Sequence, residues 1–209
     1  MPWIRRRSRA ASRSGQSLVE FALVTPILLM LVVIVADFGR VFATGLSIEA
    51  AARDAAEAVA NQYLANPPGP LDQPAPVGTT AYYTPLHALA VKTVCDETSD
   101  LANSRFDSGT STCAGMPLIE VCVHDGQDPI CGNESQGAAV PADCGNLATP
   151  PTNVNAGPNS PRWTEIRICY QFTPILANMP ILSFATFWVQ RTRTFTIPCY
   201  WTLGSSECG

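Results

Sequence analysis

The chain has 209 residues and a formal net charge of −4, which leaves room for one modest domain beside a membrane segment. Five arginines (Arg5, Arg6, Arg7, Arg9, Arg13) and no acid lie within residues 1–15, so eight basic against seventeen acidic residues remain and residues 16–209 carry −9. That acidic body excludes nucleic acid as a general partner, since a polyphosphate backbone requires a basic surface.

Residues 1–15 read as a basic leader without apolar periodicity. Arginines packed before a single apolar span hold that end in the cytoplasm and send the rest of the chain outward. The span follows at once. Leu18 to Ala36 is nineteen residues long, interrupted only by Glu20, Thr25 and Pro26. At about 1.5 Å per helical residue it matches a hydrocarbon core of about 30 Å, so residues 16–37 are expected to cross a membrane once. The apolar run is too long for a secretory signal peptide, and no small-residue cleavage site closes it. Pro26 lacks a backbone donor and is expected to kink the helix.

Beyond the span, Asp37 and Arg40 stand three apart where the helix should leave the membrane. Val41, Phe42, Leu46, Ala52, Ala56, Val59 and Tyr63 then recur at helical spacing, which predicts an amphipathic continuation over residues 38–65. Glu49 and Arg53 have the spacing of a pair along that helix. Seven alanines between residues 50 and 60 leave one flank thin enough for a second helix to approach, or serve simply as helix formers.

Residues 66–80 hold five prolines and read as a stiff linker to a domain over residues 81–209. There Thr84-Pro85 looks like a helix cap followed by proline at the first helical position. Leu118 to Val123 alternates as a strand, with Ile119, Val121 and Val123 on one face and Glu120, Cys122 and His124 on the polar one. Trp163 to Phe172 alternates likewise, and Ser183 to Ile197 supplies a third extended segment. The apolar run from Ile175 to Phe187 is too short and too interrupted to be a second span. The fold class is therefore α+β: a long N-terminal transmembrane and amphipathic helix packed on a small antiparallel sheet.

All eight cysteines (Cys95, Cys113, Cys122, Cys131, Cys144, Cys169, Cys199, Cys208) follow the span, on the side expected to be extracytoplasmic. An even count there reads as disulfides, with the connectivity open. If the first two strands are neighbours, Cys122 and Cys169 share the polar face and could bridge. No metal site is expected, because there is no C-x-x-C spacing and His87 and His124 do not sit at zinc-ligand spacing. Neither histidine belongs to a recognisable nucleophile–base–acid constellation, and no catalytic or phosphate-binding motif occurs. The chain is therefore expected to be no enzyme, with no cofactor and no small-molecule substrate.

Glu20 is the oddity of the span. A charged side chain at the centre of a membrane helix costs about 2.5–3.5 kcal/mol on insertion scales, so a carboxylate near the end needs either a partner or a path to the headgroups beside Arg13. Gly15-Gln16-Ser17-Leu18-Val19-Glu20-Phe21 places a glycine, four residues, then glutamate and an aromatic at the start of the span. This resembles the processing site of type IV prepilins and pseudopilins, where a membrane peptidase cuts after the glycine. The resemblance implies a cut between Gly15 and Gln16, with Glu20 and Phe21 completing the motif. A new ammonium on Gln16 would then lie four residues before Glu20. With Asp37-Phe38-Gly39-Arg40 and the alanine-rich helix that follows, residues 15–60 are similar to the TadE-like proteins of tight-adherence pili. A weaker likeness continues at Ile168, Tyr170, Phe172 and Pro174. The resemblance implies a minor pilin or pseudopilin, whose partners are membrane lipid, a prepilin-type peptidase and other pilus subunits. The competing expectation is an uncleaved single-pass anchor whose outer domain binds a partner.

Overall fold

The computed structural model describes residues 14–66, 80–102, 104, 106–107, 112–113, 118–124, 130–132, 144, 162–178 and 186–197. Two compact units divide at Arg40 and Val41. The described part of the first consists of helix α1 (Ser14–Ala65) up to Arg40, and α1 continues through Pro26. Large apolar side chains stand exposed around this part of the helix, from Leu18, Val19 and Phe21 through Leu29, Leu31 and Val35. A helix that is apolar on every side is suited to lipid, where the only backbone hydrogen bonds available are its own. Among the described residues, this is the one helix long and apolar enough to cross a membrane.

In the second unit α1 runs on to Ala65, where Asn66 N–H donates to the Gln62 carbonyl at 3.2 Å and the sequence then reads Pro67-Pro68. Helix α2 (Thr80–Glu97) is longer than the Thr84-Pro85 signal implies, and Pro85 stands inside it rather than at its start. Tertiary packing explains the extra turn. Tyr83 is fully buried, and Tyr82 sets its ring edge-on to Tyr63 of α1 at 6.0 Å and to Tyr83 at 5.0 Å. Packing of two aromatic rings upstream of Pro85, Tyr83 buried and Tyr82 partly so, outweighs the one backbone bond that proline forfeits.

Two short strands, β1 (Phe106–Asp107) and β2 (Thr112–Cys113), pair with each other. The main sheet has four antiparallel strands in the order β4-β3-β5-β6, comprising β3 (Leu118–His124), β4 (Ile130–Gly132), β5 (Trp163–Phe172) and β6 (Phe187–Thr196). The register pairs Ile119 with Ile168, Val121 with Ile166 and Ile168 with Arg191. Ile119, Val121, Val123, Ile166 and Ile168 thus form one apolar face, as the alternation in sequence requires.

That face packs on α1. Ala51, Ala52, Ala55, Ala56 and Ala60 are fully buried in one core with Ile48, Val59 and Tyr63. Thr164 of β5 donates to the Ala56 carbonyl at 2.8 Å, and Arg162 donates to the Tyr63 hydroxyl at 3.0 Å. The thin alanine flank therefore lets strand β5 approach closely enough to hydrogen-bond a helix carbonyl, and the same core includes Ala90, Val91 and Val94 of α2. A side chain larger than alanine would hold Thr164 too far away to reach a helix carbonyl. The amphipathic register differs from the expected one at two positions, for Phe42 and Leu46 are 62% and 53% exposed.

Glu49 turns to the sheet rather than to Arg53. It pairs with Arg193 and, at 3.8 Å, with Arg191, both on β6. The Arg193 hydrogen bond and charge hold the Glu49 carboxyl below its usual pKa. Gly45, one turn earlier, lies under the Arg191 guanidinium: a Cβ there would meet Nη2 at 3.1 Å. That atom is the tip of a flexible side chain and can yield. Gly45→Ala is therefore expected to stabilise the protein by up to about 1 kcal/mol, the usual helix-interior gain over glycine. Urea unfolding checks this, and a loss of stability would mean that the Arg191 position is fixed.

Three disulfides join Cys95 to Cys113, Cys122 to Cys131, and Cys144 to Cys169. The Cys122–Cys169 bridge that strand polarity suggests is not formed. Cys122 lies opposite Glu165 and Cys169 opposite Leu118, four register positions apart, which is about 13 Å along a strand. Cys122 instead faces Cys131 directly across β3 and β4. Cys199 and Cys208, and the Pro67–Pro76 stretch of the expected linker, lie outside the described residues.

Candidate functional site

Gly15, Gln16, Glu20 and Phe21 lie together on the first two turns of α1, all exposed. A Cβ built on Gly15 meets nothing within 4 Å. Helical spacing of four sets Gln16 over Glu20, and the Gln16 side-chain amide donates from Nε2 to Glu20 Oε1 at 3.2 Å. One turn on, the Thr25 hydroxyl donates to the Phe21 carbonyl at 2.7 Å, which keeps this hydroxyl satisfied inside the apolar segment. Pro26 follows. At the far end, Arg40 donates to Asp37 at 2.9 Å. The two charges neutralise each other on adjacent turns where the apolar run stops.

A second cluster occupies the other face of the sheet. Glu120, Cys122, His124 and Cys169, read from sequence as a polar face, are all buried, and so is Glu165, opposite Cys122 in the register. Cys144, itself fully buried, is tied to this face through Cys169. His124 is 1% exposed and stacks on Trp163, with ring centroids 3.5 Å apart. Its Nε2 lies 3.3 Å from Glu165 Oε2. Arg167 donates to Glu165 at 2.8 Å and to Glu120 at 3.2 Å.

His124 thus has an acid within hydrogen-bond reach. Glu165 is 41 residues away and reaches it only through the β3–β5 register. The signal in sequence was the pair of alternations Glu-x-Cys-x-His and Glu-x-Arg-x-Cys, legible as a cluster only once the strands are aligned.

The two carboxylates differ in their titration. Desolvation pushes Glu165 up, but hydrogen bonds from His124 and Arg167 outweigh it and its pKa is lowered. For Glu120 desolvation wins over the single Arg167 contact, and its pKa is raised. Arg167 is raised in turn, because the hydrogen bonds and charges of the two acids outweigh its own desolvation. Glu165 therefore contributes stability above the ordinary carboxylate pKa and loses it as pH falls through its depressed folded value. Glu120 has the opposite sign, favouring the fold at low pH and losing that contribution as pH rises through its raised folded value. Of the two carboxylates, Glu120 is the first to take up a proton as pH falls.

The cluster could be mistaken for a metal centre. Ligand atoms of Glu120, Cys122 and Cys131 lie within 4.8 Å of one another, yet both sulfurs are already spent in a disulfide and offer no thiolate. A cavity lies elsewhere, lined by Gln62, Asn66, Tyr82, Pro85 and Leu86. It includes neither histidine.

These features define a class: a chain whose described residues include one membrane-competent helix and a disulfide-bonded α+β unit. Residues 15–57 match the family model described as TadE-like protein, a span that begins at Gly15 and ends within the alanine-rich half of α1. No curated protein and no solved structure matches the chain.

Proposed function

We propose that this protein is a minor pilin or pseudopilin that serves in the assembly of a tight-adherence pilus, in a structural, non-catalytic role. The observation that carries this reading is the coincidence of two things at one point. The family match starts at Gly15, and Gly15 opens an exposed Gly-Gln-x-x-x-Glu-Phe motif on an all-round apolar helix. In this reading residues 1–15 are a cytoplasmic leader removed by a prepilin-type peptidase, α1 stores the subunit in lipid, and the disulfide-bonded unit lies outside the cytoplasm. Three disulfides suit an oxidising compartment. Glu20 serves recognition and subunit register, answered by the amine that cleavage frees or by a neighbouring helix.

The first residue of the protein recovered from native membranes tests this directly. Intact mass and tandem mass spectrometry of the N-terminal peptide are expected to place the first residue at position 16. A start at residue 1 or 2 would overturn processing and leave α1 as a plain anchor for a partner-binding outer domain.

A further inference from the structure

We propose that Gln16, once it becomes the first residue, closes on itself to a pyroglutamyl lactam, so that the processed chain carries an uncharged N-terminus. The inference rests on the cut between Gly15 and Gln16. It concerns what that cut leaves behind.

Glutamine at a chain start has its amide carbon within five-membered-ring reach of its own α-amine. An intramolecular attack of that kind has a large effective molarity and needs no second reactant. The α-nitrogen bonds to Cδ, the Cδ–Nε2 bond breaks, and one proton passes from the α-nitrogen to the departing group, which leaves as ammonia. Nothing is oxidised or reduced.

Two observations favour the reaction here. Gln16 is exposed and Gly15 has open space beside it, so no packed shell holds the amide away from the new terminus. The atom that Glu20 contacts is Nε2, the nitrogen that must leave. A carboxylate at 3.2 Å from it stabilises positive charge growing on that nitrogen as it takes up its proton. Glu20 is therefore a positioning residue for the closure.

The consequence reverses the simplest view of Glu20. An open Gln16 gives Glu20 a cationic partner in its own chain. A closed ring gives it only a neutral lactam N–H, and the carboxylate must find its cation elsewhere. The ring also removes the primary amine, so a closed terminus cannot be N-methylated.

The test is intact mass and tandem mass spectrometry of the full protein, extracted from its native membrane and measured fresh and after incubation at neutral pH. Chains that start at residue 16 and weigh one ammonia less than the open form, with the loss mapped to residue 16 and blocked to terminal sequencing, are the expected result. Among cut chains, Gln16→Ala should abolish the loss and Glu20→Gln should lower the closed fraction several-fold. Cut chains that retain the ammonia after incubation overturn the closure alone. A full-length mass overturns the cut, and the closure with it.

Discussion

Gly15→Arg is expected to leave essentially all of the protein at full length, with the leader still attached. Glycine is the residue whose missing side chain lets a backbone enter a narrow cleft, and among the described residues nothing lies within 4 Å of a Cβ built there. The block therefore comes from the peptidase side, not from the fold. An added cation at the head of the apolar segment acts in the same sense as the basic residues before it under the positive-inside rule, so membrane insertion should persist. Intact mass of the membrane-extracted variant measures the result, and its disulfide-bonded unit should unfold in urea as the parent does. Loss of pilus assembly with the unit intact fits a processed subunit. Unchanged processing, or unchanged assembly from uncut chains, would sink the assignment of Gly15.

Arg167→Leu is expected to produce the largest loss of stability. Arg167 is the cation shared by Glu120 and Glu165, all three nearly buried. Its removal leaves Glu120 without its guanidinium and Glu165 with His124 alone. Deleting one partner of a buried charge cluster costs about 3–5 kcal/mol, a large share of the roughly 5–15 kcal/mol that a domain possesses.

The deficit should depend on pH in a defined direction. Without the guanidinium both folded carboxyl pKa values rise, so the variant gains relative to the parent as pH falls from 7 toward about 4.5, near the unfolded carboxylate value. Glu120→Gln added to Arg167→Leu should restore part of the loss at neutral pH, because one buried charge has gone. Urea unfolding of the detergent-solubilised chain, followed by circular dichroism across that range, decides it. A deficit below about 1 kcal/mol, or one flat in pH, would mean that solvent reaches the cluster.

Legibility in sequence followed the range of the interaction. The apolar helix and the alternation of β3 and β5 are short-range patterns, and each is present in the fold. The early start of α2 could not be read from Thr84-Pro85, because Tyr82 packs on Tyr63 in a different helix and Tyr83 is buried in the core they share. The role of Glu49 was hidden for the same reason: its partners are more than a hundred residues on, and Arg53 was merely nearer. The polar face of the sheet was misread in environment rather than in register. Alternation says which residues share a face and says nothing of what covers it. Here Cys144 reaches that face through Cys169, and a row that looked solvated became a buried ionic cluster.

The disulfides have a consequence for biogenesis. Their partners follow one another along the chain, Cys95 with Cys113, Cys122 with Cys131, Cys144 with Cys169, and no loop encloses or crosses another. A chain oxidised in the order in which its cysteines emerge would make this set first time, each thiol capturing the one before it. Such a vectorial order asks for an oxidant and no reshuffling. It also leaves the segments between the bridges as covalent seams, so that a single cut between Cys131 and Cys144 would separate β3 and β4 from β5 with all three of these bonds intact.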